Sequence, residues 1–231
     1  MMSGMPTKTA IVTGGSRGLG LALARALDQR AWHVVTDARG AEALAQAAAG
    51  LSERVTAIAG DVCDPAHRHA LVDAAGERID LLVNNASMLG PSPQPALADY
   101  PTEVLRRVYD VNVLAPLELA RLALPRMPAG AVLVNVSSDA AVEAYEGWGG
   151  YGSSKAALDQ LSAILAVERH DLRVYAVDPG DMRTQMHQEA FPGEDISDRP
   201  PPEESVPGLL ALIEGLLPSG RYRAGELVVS G

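Results

Sequence analysis

The chain has 231 residues, of which 47% are hydrophobic, 21% charged and 4% aromatic, and its formal net charge at pH 7 is −10. This length predicts one large α/β domain with a sizeable core, or at most two small domains. The acidic balance argues against a nucleic-acid-binding protein, which needs a basic stripe on its surface.

The compartment is also constrained by the sequence. No uninterrupted apolar run approaches the ~18–20 residues that a membrane span needs. The start, MMSGMPTKTAIVTGG, lacks the pattern of a signal peptide. Cys63 is the only cysteine, so neither an internal disulfide nor a thiolate metal site is expected. We therefore expect a cytoplasmic protein without nucleic-acid or membrane partners.

Short apolar runs alternate with helical patterns along most of the chain. Strands are predicted at 9–13, 33–36, 55–59, 81–84, 131–136 and 173–177, and a last strand near 226–229. Helices are predicted at 18–30, 41–51, 66–75, 103–124, 151–168 and 206–217. Because strands that are apolar on both faces alternate with helices, the pattern predicts a doubly wound parallel sheet with helices on both faces. Ligands are then expected at the carboxyl ends of the strands.

Two proline-containing segments interrupt this alternation. Residues 90–101 are predicted to form an irregular loop after the fourth strand. Residues 186–207 are acidic and mostly polar, and a long loop beyond the carboxyl end of a strand is typical of a lid. We predict a substrate lid at 186–207, and the alternative is a surface excursion without function.

A glycine-rich turn, TGGSRGLG, joins the first predicted strand to the first predicted helix. Gly14, Gly18 and Gly20 allow a tight turn and a close approach of the backbone to a pyrophosphate, whose charge the helix N-terminus would meet. The spacing differs from the G-x-G-x-x-G fingerprint. Its position after the first strand nevertheless favours nucleotide binding over a plain turn.

Tyr151 and Lys155 lie four residues apart, so a helix would place them on one face. A tyrosine with its ordinary pKa of about 10 is a poor acid or base at neutral pH, and a neighbouring cation would lower that pKa. The hydroxyl of Ser138 could hold a substrate oxygen beside the tyrosine. This trio predicts carbonyl–alcohol chemistry, although Y-x-x-x-K alone is a weak signal.

Seven motifs occur here in the order of the short-chain dehydrogenase/reductase family: the glycine turn, Asp61-Val62, N-N-A at 84–86, Asn112, Ser138, Tyr151-x-x-x-Lys155 and Pro179-Gly180. The chain resembles that family from about residue 8 to residue 184. The resemblance implies a nicotinamide-dependent oxidoreductase of the carbonyl reductase or alcohol dehydrogenase type. It also implies that residues 1–231 form a single Rossmann-type domain.

The resemblance implies a role for each matching residue. Tyr151 would exchange the proton with the substrate oxygen, Lys155 would lower the pKa of Tyr151 and hold the nicotinamide ribose, and Ser138 would stabilise charge on that oxygen. Asn112 would keep a helix locally open and hold a water that reprotonates the lysine. Cofactor contacts are expected from Gly14, Gly15, Ser16, Arg17, Gly18, Leu19, Gly20, Arg39, Asp61, Val62, Asn85, Ala86, Tyr151, Lys155, Pro179, Gly180, Met182 and Thr184. The family's usual glycine after N-N-A is replaced by Ser87.

The cofactor is expected to be NADP(H). Ala38 fills the position where NAD-preferring relatives usually carry an acid, and Arg39 follows it. Arg17 is a second guanidinium near the same phosphate by family analogy, and two arginines suit a dianion. Asp37, one residue early, could instead turn toward the ribose, so NAD(H) is the alternative.

The substrate pocket is harder to predict. Tyr145 and Trp148 lie between Ser138 and Tyr151. This position fits an aromatic wall of the substrate pocket and ordinary loop packing equally well. Met186 and His187 are interpreted as solvent-facing residues of the lid, and the alternative is that they reach into the pocket. The histidines form no metal-ligand pattern, so no metal is expected.

Three functions fit these motifs. The leading one is NADP(H)-dependent carbonyl–alcohol interconversion of a small molecule, and the second is the same chemistry with NAD(H). The third is a non-catalytic NADP(H)-binding regulatory protein. By resemblance, a homodimer or homotetramer is expected, formed through the helices at 103–124 and 151–168.

Overall fold

Seven strands form one parallel sheet in the computed structural model, which describes residues 7–227. Their order is β3-β2-β1-β4-β5-β6-β7, and every neighbouring pair is parallel. The strands are β1 (Thr9–Val12), β2 (His33–Ala38), β3 (Val55–Ala59), β4 (Leu81–Asn84), β5 (Val132–Val136), β6 (Arg173–Asp178) and β7 (Gly220–Arg223). The predicted doubly wound sheet is confirmed, and its order reverses between β1 and β4.

Helices cover both faces of the sheet. They are α1 (Gly18–Gln29), α2 (Ala41–Ala48), α3 (Pro65–Ala75), α4 (Thr102–Tyr109), α5 (Ala115–Ala123), α6 (Gly149–Glu168), α7 (Gln185–Ala190) and α8 (Val206–Glu214). One core contains Leu23 and Leu209 from α1 and α8, and the other contains Leu71 and Leu119 from α3 and α5. Leu19, Leu23 and Leu27 of α1 are all buried, as their four-residue spacing predicts. No helix within residues 7–227 is long and apolar enough to cross a membrane.

Two elements differ from the sequence prediction. The helix predicted at 103–124 is divided into α4 and α5 by a π-helical turn, Asp110–Leu114, which contains Asn112. The strand predicted near 226–229 is wrong for its described part, because residues 224–226 form a 3₁₀ turn and the last strand is β7; residues 228–229 lie outside the described range. The sequence of β7, GRYR, has no apolar run, so its pattern gave no strand signal.

β7 is held by side chains rather than by apolar periodicity. The rings of Tyr222 and Tyr175 on neighbouring strands pack edge to face, with centroids 5.7 Å apart. Arg221 and Arg223 pair with carboxylates of Asp159 and Asp178 at 2.9 and 3.3 Å. Charged residues on an edge strand also discourage pairing with another chain.

Candidate active site

The glycine turn lies at the reversal of strand order, where an open α/β sheet binds its ligands. Gly14 and Gly18 have φ of +76° and +56°, which a residue with a side chain rarely adopts. A Cβ at Gly20 would lie 2.4 Å from the carbonyl oxygen of Gly14, so the turn and α1 approach too closely for any side chain there. The N-terminus of α1 has no capping side chain and no acidic residue in its first turn. Its free N–H groups therefore fit a pyrophosphate.

The Asp37 carboxylate is hydrogen-bonded to the glycine turn and is not free to bind the cofactor ribose. Its Oδ1 accepts a hydrogen bond from the Gly14 N–H at 2.8 Å, and its Oδ2 lies 2.8 Å from Nε2 of His67. Only 1% of the residue is exposed. The hypothesis that Asp37 swings toward the ribose is thus contradicted, since it would break both bonds. The positions left at the end of β2 are Ala38 and the exposed Arg39.

Arg17, exposed in the glycine turn, reaches across to the lid segment. Its guanidinium donates to the side-chain oxygen of Gln185, the first residue of α7. Thr184, just before it, lies close to the turn, because a Cβ at Gly18 would be 3.7 Å from its methyl group. The glycine turn and the N-terminus of α7 therefore border one space.

Asp61 follows β3 and is held from two sides. It accepts from the Cys63 N–H at 2.9 Å and pairs with Arg107 at 2.5 Å. Burial raises the pKa of this carboxyl, but the Cys63 and Arg107 contacts outweigh burial and leave the pKa below its ordinary value. Asp61 is thus a charged acceptor at the sheet edge, beside Val62.

Asn85 and Ala86 follow β4 and brace the glycine turn. Both of their N–H groups donate to Oγ1 of Thr13 at 3.0 Å, and the Asn85 amide donates to the Thr13 carbonyl oxygen at 2.8 Å. These bonds fix the carboxyl ends of β1 and β4 against each other, which sets the floor of the site.

Tyr151 and Lys155 lie on one buried face of α6. They are 8% and 2% exposed, and Nζ of Lys155 lies 5.4 Å from the centroid of the tyrosine ring. Nζ also donates to the carbonyl oxygen of Val136 at 2.7 Å. Burial lowers the pKa of Lys155 to about 8, against a smaller opposite effect of Asp159. An ammonium near its titration midpoint is poised to exchange protons.

Burial is the largest influence on the Tyr151 phenol and raises its pKa. Hydrogen bonding to Ser87 and Ser138 lowers the pKa, and the charges of Asp139 and Asp178 raise it. In this structure burial outweighs the other influences. The expectation that the lysine brings this pKa toward neutrality stays a prediction.

Ser138 follows β5 and caps a 3₁₀ turn (Asp139–Ala141). Its hydroxyl donates to Oδ1 of Asp139 at 2.8 Å and accepts from the Ala140 N–H at 3.2 Å. Sequence reasoning did not single out Asp139, although it directly follows the serine.

Asn112 is fully buried inside the π turn. Its amide donates to the Met88 carbonyl oxygen and to Oγ of Ser154, each at 2.9 Å. Its Oδ1 accepts from the Met88 N–H at 2.8 Å and from the Ser87 hydroxyl at 3.1 Å. All donors and acceptors of the side chain are used. The side chain therefore has no hydrogen-bonding position left for a water, and any water held here must bind other groups.

A cleft of about 100 Å³, partly open to solvent, lies between the ends of β5 and β6 and helix α7. Trp148 lines it, with its ring 5.9 Å from that of Tyr151 and 5.8 Å from that of Phe191. Tyr145 does not line it; this residue is 42% exposed and packs edge-on against Trp148. The remaining lining residues are Leu89, Ser137, Ser138, Asp139, Asp178, Pro179, Gly180, Asp181, Met182, Thr184, Met186, His187 and Ala190.

Two residues of the segment predicted as a lid, 186–207, are less exposed than the sequence suggested. Met186 and His187 line the cleft, and the His187 side chain is only 10% exposed, with its ring 4.9 Å from Phe191. The solvent-facing interpretation of His187 is therefore wrong. Residues 186–207 have no regular apolar pattern, so the sequence gave no signal that one face of α7 lines the cleft. Within residues 7–227, no group of three metal-ligating side chains is arranged to hold an ion.

Comparison with known proteins gives the same family throughout. The family model described as short chain dehydrogenase matches residues 8–195. The short-chain dehydrogenase/reductase FrzI of Cladobotryum is 35% identical over 78% of this chain and 72% of its own length. An uncharacterized oxidoreductase of Methylorubrum extorquens is 30% identical over 98% of this chain and 97% of its own length. A short chain dehydrogenase of Shigella flexneri, solved in complex with NADP, superposes with a TM-score of 0.86 at 27% identity, covering 94% of this chain and 96% of the other.

Proposed function

The chain belongs to the short-chain dehydrogenase/reductase family, and we propose that it interconverts a small-molecule carbonyl and its alcohol with NADP(H), using Tyr151 as general acid and base. The observation that carries this proposal is the buried pair of Tyr151 and Lys155 on one face of α6, at the wall of the cleft. Ser138 and Asn112, the other two residues expected in catalysis, lie around that pair.

Proton transfer to and from the substrate oxygen is carried out by the chain's own residues. When bound, the nicotinamide would supply or accept the hydride at the substrate carbon. Tyr151 donates its proton to the substrate oxygen in reduction and removes it in oxidation. Lys155 uses one N–H on Val136, which leaves two for the ribose hydroxyls. Its positive charge favours the phenolate form of Tyr151.

The proton lost from Tyr151 must be replaced from solvent. Because the Asn112 side chain is saturated, we assign it a structural part: it holds the π turn open so that a backbone carbonyl can bind the water that serves Lys155. The observed π turn supports this assignment.

The cleft lining suggests which substrates fit. Trp148 forms an apolar aromatic wall next to Tyr151, backed by Phe191, and Met182 and Met186 add flexible apolar surface. We propose that the group attached to the carbonyl is apolar or aromatic and that α7, at the start of the lid, covers it.

NADP(H) is the proposed cofactor because Ala38 and Arg39 end β2 while the neighbouring Asp37 is buried and bonded. An acid free to approach the ribose would repel a 2′-phosphate, and none of these three residues supplies one. The Shigella relative solved with NADP is consistent with this choice.

Replacing Arg39 with alanine is expected to weaken NADPH binding by about tenfold and to leave NADH binding nearly unchanged, since only NADPH has the phosphate that the guanidinium pairs with. Titration of both cofactors by fluorescence measures the two dissociation constants. Arg25→Ala is the matched control, because Arg25 is also an exposed arginine but lies on α1. An equal loss of affinity for both cofactors would mean that Arg39 acts by general electrostatic attraction and not by pairing with the 2′-phosphate.

A screen of NADPH oxidation over ketones, aldehydes and quinones tests the function as a whole. Turnover of at least one class is expected, because all four residues expected in catalysis are present. Tight NADPH binding with no turnover of any class would favour the alternative, a regulatory protein that only binds the cofactor.

We also propose a homodimer formed through α4, α5 and α6. Large apolar side chains are exposed there, at Leu114, Leu117, Ile164 and Val167. A second copy of α5 and α6 would cover these side chains.

Val167→Glu is expected to shift the protein toward monomer, because it places a charge in an apolar contact. Sedimentation velocity across a range of concentrations measures the shift. Leu216→Glu, at another strongly exposed leucine away from these helices, should leave assembly unchanged. Loss of the dimer in both variants, or in neither, contradicts this interface.

A further inference from the structure

Arg221 of β7 connects the backbone of Ser138 to helix α6. Its Nη2 donates to the Ser138 carbonyl oxygen at 2.8 Å, and its Nε donates to Oδ2 of Asp159 at 2.9 Å. Asp159 lies on α6, four residues after Lys155. A guanidinium holds two acceptors at fixed angles, because its N–H groups form a rigid planar fork. One side chain of the last strand thus joins two elements that carry residues of the proposed reaction.

The Ser138 peptide depends on this contact because it lies beyond the sheet ladder. The ladder between β5 and β6 ends with the bond from the Ser137 N–H to the Val177 carbonyl oxygen at 2.7 Å. The Ser138 carbonyl oxygen then accepts from the Ala141 N–H within its own turn, at 3.1 Å, and from Arg221. Because the hydroxyl is carried on the Cβ of the same residue, a rotation of this peptide would move the hydroxyl. Arg221 therefore ties the position of the serine to the sheet.

Asp159 needs a counter-charge. Its side chain is 14% exposed, and its Oδ1 is buried with no hydrogen-bond partner within residues 7–227. Arg221 is the one cation within 4 Å of its carboxylate in this part of the chain. The i, i+4 spacing places the carboxylate on the same face of α6 as Lys155. Burial lowers the pKa of Lys155 to about 8, and the charge of Asp159 acts in the opposite direction. The strength of that opposing effect depends on the guanidinium.

We propose that Arg221 is a positioning residue, which orients Ser138 through its carbonyl group and balances the charge of Asp159. It does not line the cleft, so it acts through these two contacts. The first contact sets the place of the serine hydroxyl, and the second sets the charge that the ammonium of Lys155 experiences. The inference rests on the proposed roles of Ser138 and Lys155, and it extends that site to the last strand of the sheet.

Other charged groups face the phenol and the ammonium. Burial has the largest effect on the pKa of Tyr151 and raises it, and the charges of Asp139 and Asp178 raise it further. Arg223 pairs with Asp178 at 3.3 Å, and Arg221 lies 3.9 Å from the same oxygen. Removal of the Arg221 guanidinium therefore leaves more negative charge near both titrating groups, and both pKa values should rise.

Three variants separate the two contacts. Arg221→Met removes both of them and keeps a long apolar side chain. Asp159→Asn removes only the carboxylate charge and keeps an oxygen that can accept from Arg221. The double variant Arg221→Met/Asp159→Asn removes both charges together and also lacks the contact with Ser138.

Arg169→Met is the matched control. The Arg169 side chain is 29% exposed, close to the 28% of Arg221, and its guanidinium also binds a carboxylate, that of Asp171, with two bonds of 2.8 Å. It follows the last residue of α6 and lies about 20 Å along the helix axis from Lys155, so its removal should change neither of the readouts below.

The first readout is the pH at which kcat/KM for reduction of the best ketone of the NADPH-oxidation screen falls to half on the alkaline side. Reduction needs the phenol and the ammonium in their protonated forms. This limb should therefore move upward by about half a pH unit in Arg221→Met and downward by a similar amount in Asp159→Asn. The double variant should lie between them. A loss of folding stability does not produce such opposite shifts.

The second readout is kcat for reduction at about pH 6.5, where the phenol and the ammonium are protonated in every variant. It should fall by about tenfold in Arg221→Met and in the double variant, the effect of one hydrogen bond from a charged donor on the orientation of Ser138.

Limbs of the two single variants that move in the same direction, or a folded Arg221→Met with the kcat of Arg169→Met, overturn the inference. If Arg221→Met fails to fold, Arg221→Lys decides. It keeps the charge and thus the limb, but an ammonium cannot fix both acceptors, so kcat should still fall several-fold. Full kcat in Arg221→Lys then overturns the inference.

Urea denaturation of the cofactor-free protein follows Lys155 without turnover. A higher pKa of this lysine in the folded protein reduces the stability gained between pH 7 and 9.5, and a lower pKa increases it. The gain should be smaller in Arg221→Met and larger in Asp159→Asn than in wild type, and equal gains in all three overturn the inference. A fully active Tyr151→Phe would instead overturn the proposed function.

Discussion

Tyr151→Phe is expected to lower kcat by about 10²–10⁴-fold, the usual contribution of a positioned general acid or base. The phenol is 8% exposed and its ring lies against Trp148. Phenylalanine keeps that packing and removes only the hydroxyl, so the loss reports on proton transfer. Steady-state rates in both directions, with the ketone and the alcohol that give the highest activity, measure it.

NADPH affinity should change only a few-fold in the same variant, because the glycine turn and the α1 N-terminus carry most of the expected contacts. Tyr145→Phe is the matched control: it removes a phenol six residues away that stands outside the cleft and bonds only Asp139 and Glu143. Comparable loss in both variants, or full activity of Tyr151→Phe, would contradict the assignment of Tyr151.

The framework of the site could be predicted from sequence because it depends on local rules. β1, the glycine turn and α1 follow from an apolar run, three glycines and a leucine every four residues. The i, i+4 spacing of Tyr151 and Lys155 requires only that α6 be a helix. The parallel sheet then brings the segments after β1, β4, β5 and β6 to one edge.

What the sequence did not reveal depends on tertiary contacts. β7 is a strand because Tyr222 packs on Tyr175 and because Arg221 and Arg223 pair with the carboxylates of Asp159 and Asp178, and none of these contacts follows a periodic pattern. His187 turns inward because α7 folds over the cleft against Phe191. Asp37 is held by His67, thirty residues along the chain. Such pairings have no local signature.

Two residues outside the predicted catalytic set act on the tyrosine. Ser87 adds a hydroxyl that donates to Asn112 and lowers the pKa of Tyr151, whereas Asp139 adds a charge that raises it. The two act in opposite directions on the same phenol. Burial has the largest influence on this pKa, and these two residues outside the catalytic tetrad (Asn112, Ser138, Tyr151 and Lys155) modify it.

Lys155→Met is expected to reduce kcat by about 10²–10³-fold, the range seen when one preorganised electrostatic contact is removed. The same change should alter the pH dependence of stability. Burial lowers the pKa of Lys155 to about 8. In the unfolded chain a lysine keeps its ordinary pKa of about 10.4.

The sign of the stability change follows from these two pKa values. Between pH 8 and about 10.4 the unfolded chain binds more protons at this position than the folded protein, so stability conferred by this lysine rises with pH. The full rise is about 3 kcal/mol. Below pH 8 both states are protonated and the cost of burying the ammonium is fully present.

Methionine removes both the buried charge and its titration. At pH 7 this relieves the burial cost, but it leaves the Val136 carbonyl oxygen without its donor, which costs about 1–3 kcal/mol, so the net change is small. Wild type should then gain stability over Lys155→Met as the pH rises from 7 to 9.5. Urea denaturation of the cofactor-free protein at both pH values measures this gain. Lys8→Met, at the exposed lysine over Trp32, should show no such difference, and parallel curves for wild type and Lys155→Met would mean that Lys155 keeps an ordinary pKa.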